Sequence, residues 1–309
     1  MTRVRKAHLL LVLVTMIWGA SFVIIKAALA ESSPLLLNTL RMSAAALALA
    51  ALYWREFSRC TAASLRAGAV VGVCMYLGYE FQTTGLALTT PSKSAFLTTL
   101  SVVLVPVFLT LFWKRHIKAW SVAGVALAFV GLYLLTVPAR GGGSLLNLES
   151  INLGDLLTLA GAVAFAFHII FLGRASAAQP FRQIAILQTT VSAVLMVATF
   201  PLLEKPFVIW SPRVLWAIAF TGLLSTAAAF TIQAWAQQFT PPTHTALIFS
   251  LESVFAWLTS YLVLGERLGA RAAVGAFLIL GGVLLSELKG GGAAAPVPAG
   301  APAEVAEEG

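Results

Sequence analysis

The 309-residue chain is 59% hydrophobic and only 10% charged, carries a formal net charge of +8 and has a mean hydropathy of +0.91. Soluble domains carry roughly a quarter charged residues, so this composition excludes a water-soluble globular fold. The basic residues stand singly or in short clusters beside apolar segments, which argues against nucleic acid as a partner and makes them topology signals.

A spanning helix needs roughly 20 mostly apolar residues, and ten windows qualify in turn. The first, 8–30, follows Arg3, Arg5 and Lys6; its apolar run is too long for a signal peptide, so it reads as a retained span. It contains Trp18 and Lys26. The second, 34–54, opens on Ser33-Pro34 and contains Arg41, and the third, 65–88, holds Tyr76, Tyr79, Glu80 and Phe81. The fourth, 91–113, opens on Thr90-Pro91 and contains Lys93, Phe96 and an internal Pro106. Proline suits a first helical turn, where its missing N–H has no partner to lose. Inside a helix it frees a carbonyl, and Pro106 is read as a hinge candidate. The fifth window is 118–138, followed by a loop at 139–151.

The second half supplies 152–174 with His168, 182–203, 211–236 with Gln233 and Trp235, 242–264 with Glu252, and 270–288. Residues 290–309 are rich in Gly, Ala and Pro with three glutamates, a composition that cannot bury a core and is expected to be disordered. Lys and Arg concentrate in alternate loops, at Arg3–Lys6, Arg55–Arg66, Lys114–Lys118, Arg174–Arg182 and Lys289. That distribution predicts both termini in the cytoplasm of a bacterial inner (cytoplasmic) membrane protein. Cys60 and Cys74 are too few for a disulfide framework and have no metal-ligand spacing. No metal or cofactor is expected.

The windows repeat. A shift of 151 sets Pro91 on Pro242, Lys93 on His244, Gly124 on Gly275 and Gly131 on Gly282; a shift of 150 sets Gly72 on Gly222, and one of 147 sets Trp18 on Phe165. A five-helix unit enters the membrane from opposite sides in its two copies. The expected fold is an all-α polytopic membrane protein of ten transmembrane helices as two inverted five-helix repeats. Residues 1–138 form one repeat and 152–289 the other, joined by the outer loop 139–151.

Ionisable groups inside the bilayer cost roughly 2.5–3.5 kcal/mol each at mid-helix, so each asks for a partner or a watery cavity. Counted along the helices, Lys26, Arg41, Glu80 and Lys93 sit at similar depth. Two readings fit: a positive vestibule for anionic or carboxylate-bearing solutes, or a structural ion pair of Glu80 with Arg41 or Lys26 beside snorkelling lysines. Glu252 falls near the midplane with no basic residue at its depth in its own half. It is either a carrier of a coupling proton or a packing residue hydrogen-bonded to Gln233 or a backbone carbonyl. His168 is a binding candidate or a satisfied packing histidine. Trp18, Tyr76, Tyr79, Phe81, Phe96 and Trp235 are candidates for an aromatic lining suited to amphipathic solutes. The absence of a G-x-x-x-x-G-K-[ST] loop argues against ATP hydrolysis by this chain, and no catalytic constellation points to an enzyme.

Several stretches carry a resemblance together: Ile17-Trp18-Gly19-Ala20-Ser21-Phe22, Asn38-Thr39-Leu40-Arg41-Met42, Gln82-Thr83-Thr84-Gly85-Leu86 and Thr90-Pro91-Ser92-Lys93-Ser94-Ala95-Phe96-Leu97 in the first half, with Ser250-Leu251-Glu252-Ser253-Val254-Phe255-Ala256 and Leu264-Gly265-Glu266-Arg267-Leu268 in the second. With these, residues 8–288 resemble the EamA-type transporters of the drug/metabolite transporter superfamily. The resemblance implies ten helices, cytoplasmic termini, a central cavity between the halves and alternating access. In one departure, Lys114-Arg115-His116 stands where the second half has Gly265-Glu266-Arg267. The leading expectation is a secondary transporter exporting an amino acid or related amphipathic metabolite. Arg41 and Lys93 would then lie near its carboxylate and Glu252 at the coupling site. The rival classes are a lipid or lipid-linked-intermediate flippase and a non-transporting membrane receptor.

Overall fold

In hydrocarbon every backbone polar group must be satisfied within the protein, which leaves helices as the way for such windows to cross. The computed structural model describes residues 2–114, 119–136 and 152–290, and these are all-helical apart from one isolated bridge between Ser32 and Val208. The expected loop at 139–151, the tail beyond Gly290, and Arg115 and His116 lie outside the described residues. The helices are α1 (Arg3–Ala28), α2 (Pro34–Phe57), α3 (Ala62–Leu88), α4 (Pro91–Trp113), α5 (Ala119–Thr136), α6 (Leu153–Ala178) and α7 (Phe181–Leu203). After them come α8 (Pro212–Ala219), a π-helical segment (Phe220–Ala228), α9 (Ala229–Ala236), α10 (Pro242–Phe249), α11 (Leu251–Leu264) and α12 (Ala270–Gly290). By length and composition, 8 helices among the described residues can cross a membrane, with shorter apolar helices at Val122–Leu135 and Ala270–Leu285. The protein is a polytopic membrane protein.

Helix starts follow from local chemistry. Thr2, Thr61, Thr90, Asn152 and Ser211 each accept a hydrogen bond from the backbone N–H three residues on, satisfying one of the N–H groups left open in a first turn. Pro34, Pro91, Pro212 and Pro242 occupy first-turn positions. Two windows that read as single helices are interrupted. The window 211–236 contains nine residues of π-helix, and 242–264 breaks at Ser250, whose N–H reaches both Ala246 O and Leu247 O. Helix α4, by contrast, runs on through Pro106. That proline offers no N–H to the carbonyl of Val102.

Packing runs α1 on α11, α2 on α7, α3 on α6 and α7, α4 on α6, and α5 on α12. The α5–α12 contact is backbone to backbone. A Cβ on Gly275 would lie 2.6 Å from Gly131 O and one on Gly282 2.5 Å from Gly124 O. Replacing Gly275 by Val is therefore expected to force the two helices apart, lowering thermal stability by roughly the 1–3 kcal/mol of an overpacked core. Gly281→Ala is the matched control, because its Cβ would meet nothing nearer than Leu127 Cδ2 at 3.8 Å. Thermal unfolding of the two variants in detergent checks the pair.

One end of the bundle is tied by acids. Glu204 accepts from the N–H groups of Leu35 (3.1 Å) and Leu36 (2.7 Å) at the start of α2. Glu266 accepts from Ser92 N (3.3 Å) and Oγ (2.8 Å) at the start of α4. Carboxylates at helix N-termini are favourable because open N–H groups and the helix dipole face them. At the same end Glu31 pairs with Arg213 and Ser211, and Lys93 with Asp155 at 2.6 Å.

Candidate functional site

Between the helices lies a cavity of ≈ 60 Å³ lined from α1 (Trp18, Ser21, Phe22, Ile25), α2 (Arg41), α3 (Tyr79, Gln82, Leu86), α4 (Thr98, Thr99, Ser101, Val102) and α6 (Phe165, His168, Ile169). The lining is completed by Ser225 of the π segment, Phe230 and Gln233 of α9, Phe249 of α10 and Glu252 of α11. Three helix irregularities border it, while the kink of α2 at Tyr53 lies away from it. Ser225 lies in the π segment, Phe249 and Glu252 flank the break at Ser250, and Val102 carries the carbonyl that Pro106 leaves without its donor.

Phe230 centres an aromatic box. Its ring lies 5.1 Å from Trp18, 5.9 Å from Tyr79 and 5.4 Å from His168 between centroids, with Phe249 a further 4.8 Å from Trp18 and Phe165 5.4 Å from Tyr79. Trp18 is held in place by its indole N–H, which donates to Ser225 O at 2.7 Å, a carbonyl on the π segment.

Arg41 is the largest fully buried side chain, 1% exposed. Its guanidinium stacks on Tyr79, 4.0 Å from the ring centroid, and its Nε and Nη2 are buried with no hydrogen-bond partner. No carboxylate among the described residues comes within ion-pair distance of it. Burying a guanidinium this way is costly unless something completes it, and the open side of the group is the cavity. Glu252 lines the same cavity and makes no hydrogen bond or ion pair among the described residues. It is positioned by α1, where a Cβ on Gly19 would sit 2.9 Å from Glu252 O and 2.7 Å from Ala256 N. Only glycine lets the two backbones meet so closely. One cation and one acid thus face one aromatic chamber.

Of the residues singled out in the sequence, Trp18, Arg41, Tyr79, His168, Gln233 and Glu252 come together here. Their secondary contacts differ from expectation in places. The side chain of Gln233 does not meet Glu252; its Nε2 donates to Gln237 Oε1 at 3.4 Å. His168 Nε2 lies 2.9 Å from Gln188 Oε1, so that histidine is both partnered and cavity-lining. Glu80 comes within ion-pair distance of neither Arg41 nor Lys26 and its buried carboxyl oxygens make no hydrogen bond, but it acts electrostatically on Arg41 across a longer gap. The ammonium of Lys26 instead donates to the carbonyls of Leu86 (2.9 Å) and Ala87 (3.0 Å) at the end of α3. Lys93 is committed to Asp155 and lies outside the cavity, because its azimuth on α4 points to α6. Tyr76 donates to Thr199 Oγ1 at 3.0 Å on the α7 side, Trp235 packs on Phe239, and Phe96 lines a separate groove. The residues that sequence reasoning passed over are Ser21, Gln82, Thr98, Thr99, Ser101, Phe165, Ser225, Phe230 and Phe249.

The EamA-like transporter family model matches this chain twice, over residues 5–137 and 152–288. The chain belongs to that family. Among its relatives are an uncharacterized transporter of Archaeoglobus fulgidus, 33% identical over 283 residues that cover 92% of this chain and 86% of the relative, and the uncharacterized transporter YoaV of Bacillus subtilis, 23% identical with 91% and 96% covered. A solved crystal structure superposes with a TM-score of 0.64 at 19% identity, covering 93% of this chain and 98% of its own, which speaks for the fold alone. As an EamA-family protein the chain is a membrane transporter, and its partners are a small-molecule substrate and the lipid bilayer.

Proposed function

We propose that this EamA-family chain is a secondary active transporter that exports small metabolites such as amino acids or amphipathic compounds. It works by alternating access around the central cavity, with both termini in the cytoplasm. The observation that carries the reading is the unpartnered Arg41 guanidinium facing the same aromatic chamber as Glu252: it suits a cargo with a carboxylate and an apolar body.

The two repeats, 1–138 and 152–289, are supported by the pattern of contacts. Under the shift of 151, Gly124 corresponds to Gly275 and Gly131 to Gly282; Gly131 touches Gly275 and Gly124 touches Gly282. Reciprocal contacts of this kind are what a two-fold axis relating the halves produces. The cavity's ≈ 60 Å³ is small beside ligand pockets of about 300–1,000 Å³, so cargo entry requires helices to move. The π segment and the break at Ser250 supply the places. Topology is supported by the excess of Lys and Arg in the loops at the end opposite the gathered acids.

The test is a thermal-shift screen of amino acids and other carboxylates on purified protein, followed by counterflow in proteoliposomes. Stabilisation and counterflow by a water-soluble carboxylate are expected. A response confined to lipids would replace this reading with a flippase, and silence in both assays would overturn transport of such cargo.

A further inference from the structure

A second cavity, ≈ 410 Å³, lies apart from the central one, in the seam between α11, α12 and Phe96 of α4. Its walls are apolar, with Trp257 and Tyr261 a turn apart on α11 and Ala276 and Phe277 on α12. Several of these side chains are open to the surroundings of the bundle: Phe277 is 76% exposed, Tyr261 45% and Trp257 37%. Among the described residues a single charged one borders the groove, Arg267, in the turn between α11 and α12. It stands at the acid-tied end, yet the acid beside it in the chain is not available to it. Glu266 is engaged by Ser92 N and Oγ at the start of α4. Arg267 forms no ion pair among the described residues.

An apolar groove that opens sideways in a membrane protein faces acyl chains rather than water. A cation at the level of a helix end faces phosphates. We propose that this groove is a binding site for an anionic phospholipid, with one acyl chain lying along Trp257, Ala276 and Phe277 and the headgroup phosphate on Arg267. The occupant is resident rather than cargo: Phe96 and α4 stand between it and the central cavity. By filling the seam the lipid adds to the contacts that hold the α5–α12 pair on the bundle, which run through Phe96, Leu135, Ala276 and Ile279 near the groove and through Ala128 and Val283 in the main core.

Tail-brominated lipids test this through quenching of Trp257, taken as the difference between the full-length chain and its Trp257→Phe variant in bicelles. Brominated phosphatidylglycerol is expected to quench Trp257 at a mole fraction about fivefold lower than brominated phosphatidylcholine, the effect of one arginine near a charged surface. In Arg267→Gln the preference should vanish. Ala273→Phe, which fills the groove without adding a fluorophore that the assay reads, should lower quenching by both lipids. Inorganic phosphate added to phosphatidylcholine bicelles should not displace the brominated tail. Equal quenching by the two lipids in the parent chain, an undiminished preference in Arg267→Gln, or displacement by phosphate alone would each overturn the proposal. Should Ala273→Phe fail to fold, the Arg267→Gln comparison decides.

Discussion

Replacing Arg41 by Met is expected to weaken transport of carboxylate-bearing cargo by about one to two orders of magnitude in apparent affinity while raising the melting temperature. The two effects have one cause. In this conformation the guanidinium is 1% exposed, with Nε and Nη2 unpartnered and the Glu80 carboxyl acting on it only from beyond ion-pair distance, and a buried cation so weakly compensated costs several kcal/mol. Stacking on Tyr79 at 4.0 Å returns about 2 kcal/mol of that. An apolar residue of similar length removes the cost and fills the space, so folding should gain. Transport should lose what the cargo gains from Arg41, a charge-assisted hydrogen bond worth about 1.5–3 kcal/mol, or roughly a 10- to 100-fold fall in apparent affinity. Counterflow in proteoliposomes and thermal unfolding of the same preparation measure both. A variant that unfolds earlier yet transports at the parental rate would make Arg41 a structural residue. Neutral amphipathic cargo, if carried, should be much less affected, which separates a carboxylate contact from a general loss of the cavity.

Six of the twenty residues that line the chamber were legible, because polar and aromatic side chains are conspicuous in apolar windows. Arg41 and Glu252 stand out by type, and depth follows from 1.5 Å per helical residue. Depth does not give azimuth. Lys93 lies at the depth read from the sequence but faces elsewhere, toward Asp155 across the start of α6, and Glu80 lies close enough to act on Arg41 without lining the chamber. The hydroxyl lining was invisible for a different reason. Thr98 and Thr99 donate to the carbonyls of Ser94 and Ala95 one turn back, a bond any membrane helix can offer, so Ser and Thr carry no positional signal. Phe230 and Phe249 were lost among the other phenylalanines of the chain, since nothing local distinguishes a ring in the chamber from one in the lipid. The π segment and the break at Ser250 left no trace either. Neither contains a proline, and the contact that meets the π segment, the Trp18 indole on Ser225 O, comes from a residue 207 positions away. Helix existence needed only composition and period; helix continuity depended on neighbours far along the chain.

Replacing Glu252 by Gln is expected to uncouple transport from a pH gradient while leaving exchange intact. Glu252 follows the break between α10 and α11, is set against α1 by the close approach at Gly19, and faces the chamber with Arg41. It is the one acid lining that chamber, so a proton carried through it has no other carboxyl to use there. Glutamine keeps the volume and the hydrogen-bonding capacity but cannot take up or release a proton, so a role confined to packing survives the change and a coupling role does not. With one proton exchanged per cargo, a gradient of one pH unit supports about a tenfold accumulation ratio, equivalent to 1.4 kcal/mol. In Glu252→Gln that ratio should fall to one, while counterflow without a gradient continues and the yield of inserted, folded protein is unchanged. Accumulation at the parental ratio would remove Glu252 from the coupling path. Loss of counterflow together with accumulation would instead place the carboxyl in cargo binding, where Glu252→Asp should restore part of it.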